Sequence, residues 1–444
     1  MRILGKLAAL GFGAFVLLQL VRPGIPVPAA TAELKAPESV KRILEKNCYS
    51  CHSNQRRLAW FDEIVPAYWL VRHDILTARD HLNFSSLGGK PAAAQKAALY
   101  EAVNMIRLGA MPLLQFRMLH PEANVSAEEL ASLKSYLAPW TTPPEPLLPA
   151  SPTRAVEEVA PASAQPEFNG LALDPTYKSW KALSFTDRGD NNTFRFILGN
   201  EAAVRAVQTG KISPWPDGAK IAKIAFQKAV RADGLVFADR FIQVELMQKG
   251  AHAYWKTAGW AWGRWRGEKL KPYGKDAQFV KECTSCHLPV RGNDDVYTLP
   301  VTNAPVAGQE VVNNRAALPA HLPHQPFNWY PASMYVDPAS QSTAILFLND
   351  LAQQSSALNS SKAADPPGSV LALVTWSQRE DPHWFGARIP NNPRSVEFVS
   401  AGSADPTAAY VRYAGTGLTR TSTEKAAALK RVRFILDLPR IKLP

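Results

Sequence analysis

Four cysteines constrain this 444-residue chain more than any other feature, because all of them fall in two copies of one five-residue pattern. Cys48-Tyr49-Ser50-Cys51-His52 and Cys283-Thr284-Ser285-Cys286-His287 both read Cys-x-x-Cys-His, the attachment motif of a c-type haem. Two thiols spaced i, i+3 reach the two vinyl groups of a porphyrin and become thioethers. The adjacent histidine is then held beneath the ring and offers a nitrogen to the iron. A single copy could equally be half of a zinc site or a redox dithiol. Two copies that consume every cysteine favour two covalently bound haems, with His52 and His287 as proximal ligands, and leave no thiol for a disulfide or a nucleophile.

Covalent haem is normally attached after export, and the N-terminus agrees. Arg2 and Lys6 precede an apolar run over residues 7–21, short of the ~20 residues that span a bilayer but suited to a signal peptide. Ala30-Thr31-Ala32 offers a cleavage site. Residues 1–32 are therefore a signal peptide or an uncleaved membrane anchor, and the expected location is the periplasm. The formal charge of +12 falls to +9 if those residues leave, since Arg2, Lys6 and Arg22 go and no acid does. Such a balance suits acidic redox partners. Nucleic acid is not expected as a partner, because no basic run is interleaved with aromatics.

From Pro37 an amphipathic helix carrying Val40, Ile43 and Leu44 delivers the first motif. Arg107-Leu108-Gly109-Ala110-Met111-Pro112 follows, and then Ser126-Ala127-Glu128-Glu129 has the form of a capping box. It opens a helix with Leu130, Leu133 and Leu137 on one face. Together with Cys51-His52-Ser53-Asn54, Leu82 to Ser85 and His120-Pro121, this outline resembles a family of small haem-binding cytochrome c domains, over residues 36–140. Met111 is then the expected sixth ligand, a thioether that raises the potential and closes the iron to substrate. His73, His81 and His120 are rivals for that place. Between 141 and 168, seven prolines in 28 residues read as an extended linker.

Beyond the linker, residues 178–183 read as a short helix, 193–198 as a strand and 201–207 as a helix. Trp215-Pro216-Asp217-Gly218 is a turn leading into a strand over 219–226. Another strand covers 241–246, then come Gly259 to Gly267 with Trp260, Trp262 and Trp265, and a helix from about 276 bears Cys283, Cys286 and His287. Thr186-Asp187-Arg188, Phe194-Arg195-Phe196, the Pro-Asp-Gly turn, Lys223, the Gly259 to Gly267 segment, Cys283 to Pro289 and Asp294 to Thr298 together resemble the cytochrome P-460 family. The resemblance implies a mainly antiparallel sheet, a haem on the C-terminal helix, and an iron with histidine on one side and an open position on the other. Hydroxylamine-oxidising members also bond a lysine to the porphyrin, whereas the related cytochromes c′-beta bind nitric oxide. Lys223 best matches that lysine, so the second haem is either lysine-cross-linked or held by its thioethers alone. Arg195 matches a family arginine near the substrate. Lys220 and Lys223, three apart in a strand, face opposite sides, and the tryptophans are read as core and haem wall.

The last stretch has no Cys-x-x-Cys-His, yet it echoes the one before. Pro366 to Leu373 parallels the Pro-Asp-Gly strand at an offset of 150, Val396-Glu397-Phe398 parallels Val244-Glu245-Leu246 at 152, and Tyr410 to Gly415 parallels Trp262 to Gly267 at 148. Near-constant offsets point to an internal repeat that has lost its haem: Leu373 stands opposite Lys223, and no cysteine or histidine stands opposite the motif.

The expectation is an α+β multidomain protein. An all-α cytochrome c domain (33–140) and the linker (141–168) precede a mainly antiparallel β-sheet P-460-like domain (169–310) and a haem-free repeat of it (311–444), the last two packed as an internal pseudo-dimer. Its expected function is oxidation of hydroxylamine or nitric oxide at the His287 haem, with electrons leaving through the Met111-ligated haem to an external redox partner. The alternative is a nitric oxide-binding or purely electron-transfer cytochrome.

Overall fold

The computed structural model describes residues 2–138, 145–146, 164–276, 278–306, 311–358, 365–401 and 409–444. It divides into two compact units, residues 1–140 and 141–444.

The first unit is helical. Helix Glu38–Asn47 buries Val40, Ile43 and Leu44, as its spacing predicts, and runs into the short helix Tyr49–His52 that bears the first motif. Helices Ala67–His81, Ala92–Arg107 and Ala127–Leu137 complete the bundle. Ser126 caps the last of these: its hydroxyl accepts from the Glu129 amide, and the Glu129 carboxylate accepts from the Ser126 amide at 2.9 Å. An N-terminal helix, Arg2–Leu18, exposes most of its apolar side chains. Among the described residues no helix is long and apolar enough to cross a membrane.

Residues 19–34, most of which fall in the segment 1–32 expected to be a signal peptide or an uncleaved membrane anchor, pack onto this unit. Gln19 exchanges hydrogen bonds with the Val65 backbone, Tyr68 donates to Pro23 O at 2.6 Å, and Arg72 donates to Gly24 O at 3.1 Å. Ile25 and Leu34 are buried. Gly88 N donates to Ala32 O, and a Cβ on Gly88 would lie 2.3 Å from the Glu33 carbonyl; only glycine lets the segment pass so close.

Most of the proline-rich linker lies outside the described residues. Its final residues belong to the second unit: buried Glu167 accepts from the amides of Arg264, Tyr273 and Gly274 at 2.9–3.0 Å.

Among the described residues the second unit has thirteen strands in one sheet. A two-residue strand, β1 (Glu145–Pro146), is followed by β2 (Lys181–Arg188), β3 (Thr193–Gly199), helix Glu201–Gln208, β4 (Lys220–Val230), β5 (Val236–Lys249), β6 (Trp260–Arg266), β7 (Lys271–Pro272) and the motif helix Phe279–His287. The chain then passes through the same order again: β8 (Tyr330–Asp337), β9 (Ser342–Leu348), helix Asp350–Leu358, β10 (Val370–Asp381), β11 (Trp384–Ser400), β12 (Tyr410–Ala414), β13 (Thr419–Thr421) and a closing helix, Lys425–Leu436. The correspondence reaches single hydrogen bonds. Asn200 and Asn349 each cap their helix and donate across to Gly218 O and Gly368 O, both at 2.9 Å, and both glycines sit at positive φ.

Eight of these strands close on themselves in the order β2-β3-β4-β5-β8-β9-β10-β11. The two halves meet through β2 with β11 and β5 with β8, each antiparallel. The first half's β2 meets the second half's fourth strand, and the reverse holds at the other seam, so the joints are related as in a two-fold pair. Inward residues of both halves share one core, including Phe185, Phe194, Phe196, Phe226, Phe347, Trp376 and Phe398. The side chains of this shared core occupy the barrel interior. One correction concerns residues 178–183, expected as a helix: a 3-10 turn ends at Ser179 and β2 begins at Lys181. Ala182 to Phe185 are buried throughout, so the alternation that marks a half-exposed strand is missing.

Candidate haem-binding sites

Strand alternation sorts β3 to β6 into a barrel face and an outer face. Phe194, Phe196, Ala222, Ile224, Val244, Leu246 and Trp265 point inward. Their alternates Arg195, Lys223, Glu245 and Arg264 share the other face, that of Ile197, Ile221, Met247 and Trp262. Register places Lys223 opposite Glu245, and Glu245 opposite Arg264. The Lys223 ammonium pairs with one Glu245 oxygen, and Arg264 Nε lies 2.9 Å from the other. Burial alone would raise the Glu245 carboxyl, but Lys223, Arg264 and Arg195 hold it well below the carboxylate range. Burial lowers Lys223, partly offset by Glu245. Burial and the neighbouring Arg188 bring Arg195 down to about 10. Lys220 faces away and pairs with Asp174 at 2.7 Å, the separation expected from residues three apart.

The motif helix packs on this face. It presents Cys283 and Cys286 one turn apart and ends at His287, where Pro289 removes a backbone donor. The His287 Nδ1–H donates to Asp295 O at 2.7 Å, which leaves Nε2 available to ligate a metal. Its ring lies 4.6 Å from Trp262 and 5.1 Å from Tyr297, edge to face with both. The carbonyl it uses belongs to a turn with Asp294 and Asp295 at positive φ. Trp215 N and Lys249 Nζ donate to the Asp294 carboxylate at 2.8 and 2.6 Å, and Trp260 Nε1 to its carbonyl at 2.9 Å. Burial and the Lys223 charge push the imidazole down to about 4, so it is neutral and able to bind a metal. Burial pushes the Cys283 thiol up to about 11.

These residues fit a covalently held haem. Both cysteines are unbridged and half-buried. The indole N–H groups of Trp215 and Trp262 and the Nε of Arg195 are buried without a hydrogen-bond partner among the described residues. Donors of that kind suit the carboxylates and the iron-bound substrate that a haem would bring.

Several residues of this site escape a reading along the chain. Glu245 and Arg264 join it only through cross-strand register. Arg188 and Asp190, both buried, form a pair in which Nε donates to Oδ1 at 2.6 Å. Trp384, from the second half, stacks under the Arg188 guanidinium at 4.2 Å, contacts Tyr297 at 5.5 Å and donates to Asp190 at 3.3 Å. His383 Nδ1 donates to Tyr297 O, and the Tyr297 hydroxyl to Cys286 O, both at 2.6 Å. The second half therefore buttresses the loop that orients His287. Strand alternation could have found Glu245; nothing local marks Trp384.

In the first unit, His52 repeats the arrangement. Its Nδ1–H donates to Leu82 O at 2.9 Å, and burial lowers its pKa. Burial pushes the thiols of Cys48 and Cys51 up to about 12 and about 11. Met111 is half-buried after helix Ala92–Arg107, its amide bonded to Met105 O at 3.1 Å. Of its rivals, His120 spends both nitrogens on Asp62 (3.0 Å) and Glu122 (3.2 Å), His81 faces Glu101 at 3.2 Å, and His73 is exposed.

No curated protein matches the chain. Residues 13–139 match the family model of a haem-binding domain, and residues 175–298 match that of cytochrome P460. The first match begins inside the apolar N-terminal run, consistent with the packing of residues 19–34. The chain is thus a haem cytochrome in which a haem-binding domain precedes a cytochrome P460 domain.

Proposed function

We propose that this chain is a two-haem c-type cytochrome that oxidises a small nitrogen species, hydroxylamine or nitric oxide, at the site of Cys283, Cys286 and His287. The haem-binding domain, with His52 and Met111 as ligands, passes the electrons to an external acceptor. The observation that carries this reading is the row Arg195, Lys223, Glu245 and Arg264 on the face that the motif helix covers. When bound, a haem supplies an iron able to take electrons from a ligand on its open side. The protein's part is to orient and to polarise. Asp295 fixes the tautomer of His287, the unpartnered Nε of Arg195 is available to a substrate oxygen, and Glu245 holds Lys223 in place. We assign Lys223 the porphyrin bond of the hydroxylamine-oxidising P460 proteins.

One observation favours a second reading, a nitric oxide binder. Lys223 is paired with Glu245, and an ammonium so held is a poor nucleophile. Peptide mass spectrometry of the purified protein separates the two. A Lys223 peptide joined to haem, with a red-shifted ferrous Soret band, supports the oxidase. A free Lys223 and a spectrum that shifts only with nitric oxide support the binder.

The proposed location is the periplasm, with the N-terminus retained. Hydrogen bonds from Gln19, Tyr68 and Arg72 along residues 19–34 support retention. Sequencing the mature N-terminus tests it: a chain beginning at Glu33 would contradict it.

A further inference from the structure

The second half of the barrel has its own cavity, of about 600 Å³, on the face that corresponds to the haem site. Glu397 on β11 and Arg412 on β12 face each other in register as Glu245 and Arg264 do, with Leu373 in the place of Lys223. The closing helix lies over them and carries Arg431 and Phe434, three residues apart like the two cysteines of the motif helix. The next residue, Ile435, is fully buried. No thiol or imidazole is present to tether or ligate a haem here.

Rewiring around Glu397 frees another donor. Arg431 takes both carboxylate oxygens, with Nε at 2.8 Å and Nη2 at 3.1 Å. Glu397 is 4% exposed and Tyr410 7%. The Nε of Arg412 is then buried without a hydrogen-bond partner among the described residues, while the Tyr410 hydroxyl hydrogen-bonds to the Glu397 carboxylate, and both residues line the cavity. A buried donor left without a partner is destabilising, so a ligand that accepts from Arg412 gains by satisfying it. At the exposed rim, Arg394 adds a third guanidinium, tied by Nη1 to Ser340 O at 2.9 Å. The remaining walls include Tyr335 and Phe434, whose rings meet edge to face at 5.8 Å. The volume is in the range of small-molecule pockets, roughly 300–1,000 Å³.

We propose that this cavity binds a small aromatic carboxylate. Arg412 donates to its carboxylate, Arg394 guards the mouth, and Tyr335 and Phe434 contact its ring. The site is independent of the chemistry at His287.

Titration calorimetry of the full-length, haem-loaded protein with benzoate tests this, with benzamide as the neutral control. The expected result is saturable binding of one benzoate per chain with the Soret band unmoved. Benzamide should bind more weakly by roughly tenfold or more, and Arg412→Gln should weaken benzoate by roughly tenfold. Arg412→Lys keeps a cation on the wall but loses the Nε donor, should also weaken benzoate, and remains informative if Arg412→Gln does not fold. Absence of saturable binding, undiminished affinity in either Arg412 variant, equal affinity for benzamide, or binding that moves the Soret band would each overturn the proposal.

Discussion

Glu245 is the residue on which the charges at the motif face balance. It answers Lys223 on one neighbouring strand and Arg264 on the other. Glu245→Gln leaves two cations without their counter-charge, and the expected loss is about 2 kcal/mol, below the 3–5 typical of fully buried pairs because the site is partly open. Thermal melting at pH 7 reads it, and no change in melting temperature would show that the pairing is weak. Arg195→Gln has a different expected signature: haem content stays whole while hydroxylamine turnover falls roughly ten- to hundredfold. The cysteines and proximal histidines were legible because the tether fixes their spacing within five residues. Lys223 and Arg195 were legible only through the family resemblance. Glu245, 22 residues from Lys223, required the hairpin register, and Trp384 arrives from another half of the barrel.

Elements whose chemistry is local are fixed by local signals. The strand at 193–199, the helix at 201–208 and the Ser126 capping box all stand where their residues indicate. The long β11 was not legible beyond Val396 to Phe398, because Pro390 and Pro393 interrupt its pattern; Pro393 sits beside a register shift against β10, a place a sheet can admit proline. The Ser126 cap yields a prediction at this scale. Ser126→Ala should cost about 1 kcal/mol, measured by denaturant unfolding. Burial raises the Glu129 carboxyl, but Lys46, the Ser126 amide and Asn47 outweigh it and hold it below its ordinary value. A depressed folded pKa means the stabilisation is present above the unfolded value, about 4.3, and fades as pH falls through the folded one. Glu129→Gln should therefore flatten the acid limb of the first unit's stability. An unchanged acid limb would mean that the carboxylate does not report folding there.

Across the whole molecule, the recurring order of elements gives the haem-free half two roles: it completes the barrel and it supplies His383 and Trp384 to the motif loop. Phe185 packs on Phe347 at 5.9 Å across the shared core, so a chain ending at Ala317 exposes this core and two strand edges. Such a truncation should aggregate or self-associate in sedimentation, and a stable soluble monomer would show that the second half is dispensable. The repeat was visible as offsets in three short motifs, whereas the closed ring was not, because the two seams use residues about 100 and 200 positions apart. The central claim is that substrate is oxidised at the site of His287. The most direct measurement is hydroxylamine- or nitric oxide-dependent reduction of an external acceptor by the purified full chain, compared with the Cys283→Ala/Cys286→Ala variant. Turnover is expected of the native protein, with loss of it in the variant while the haem of the first unit still reduces with dithionite. Equal turnover in both proteins, or none in the native protein while nitric oxide still binds it, would contradict the account.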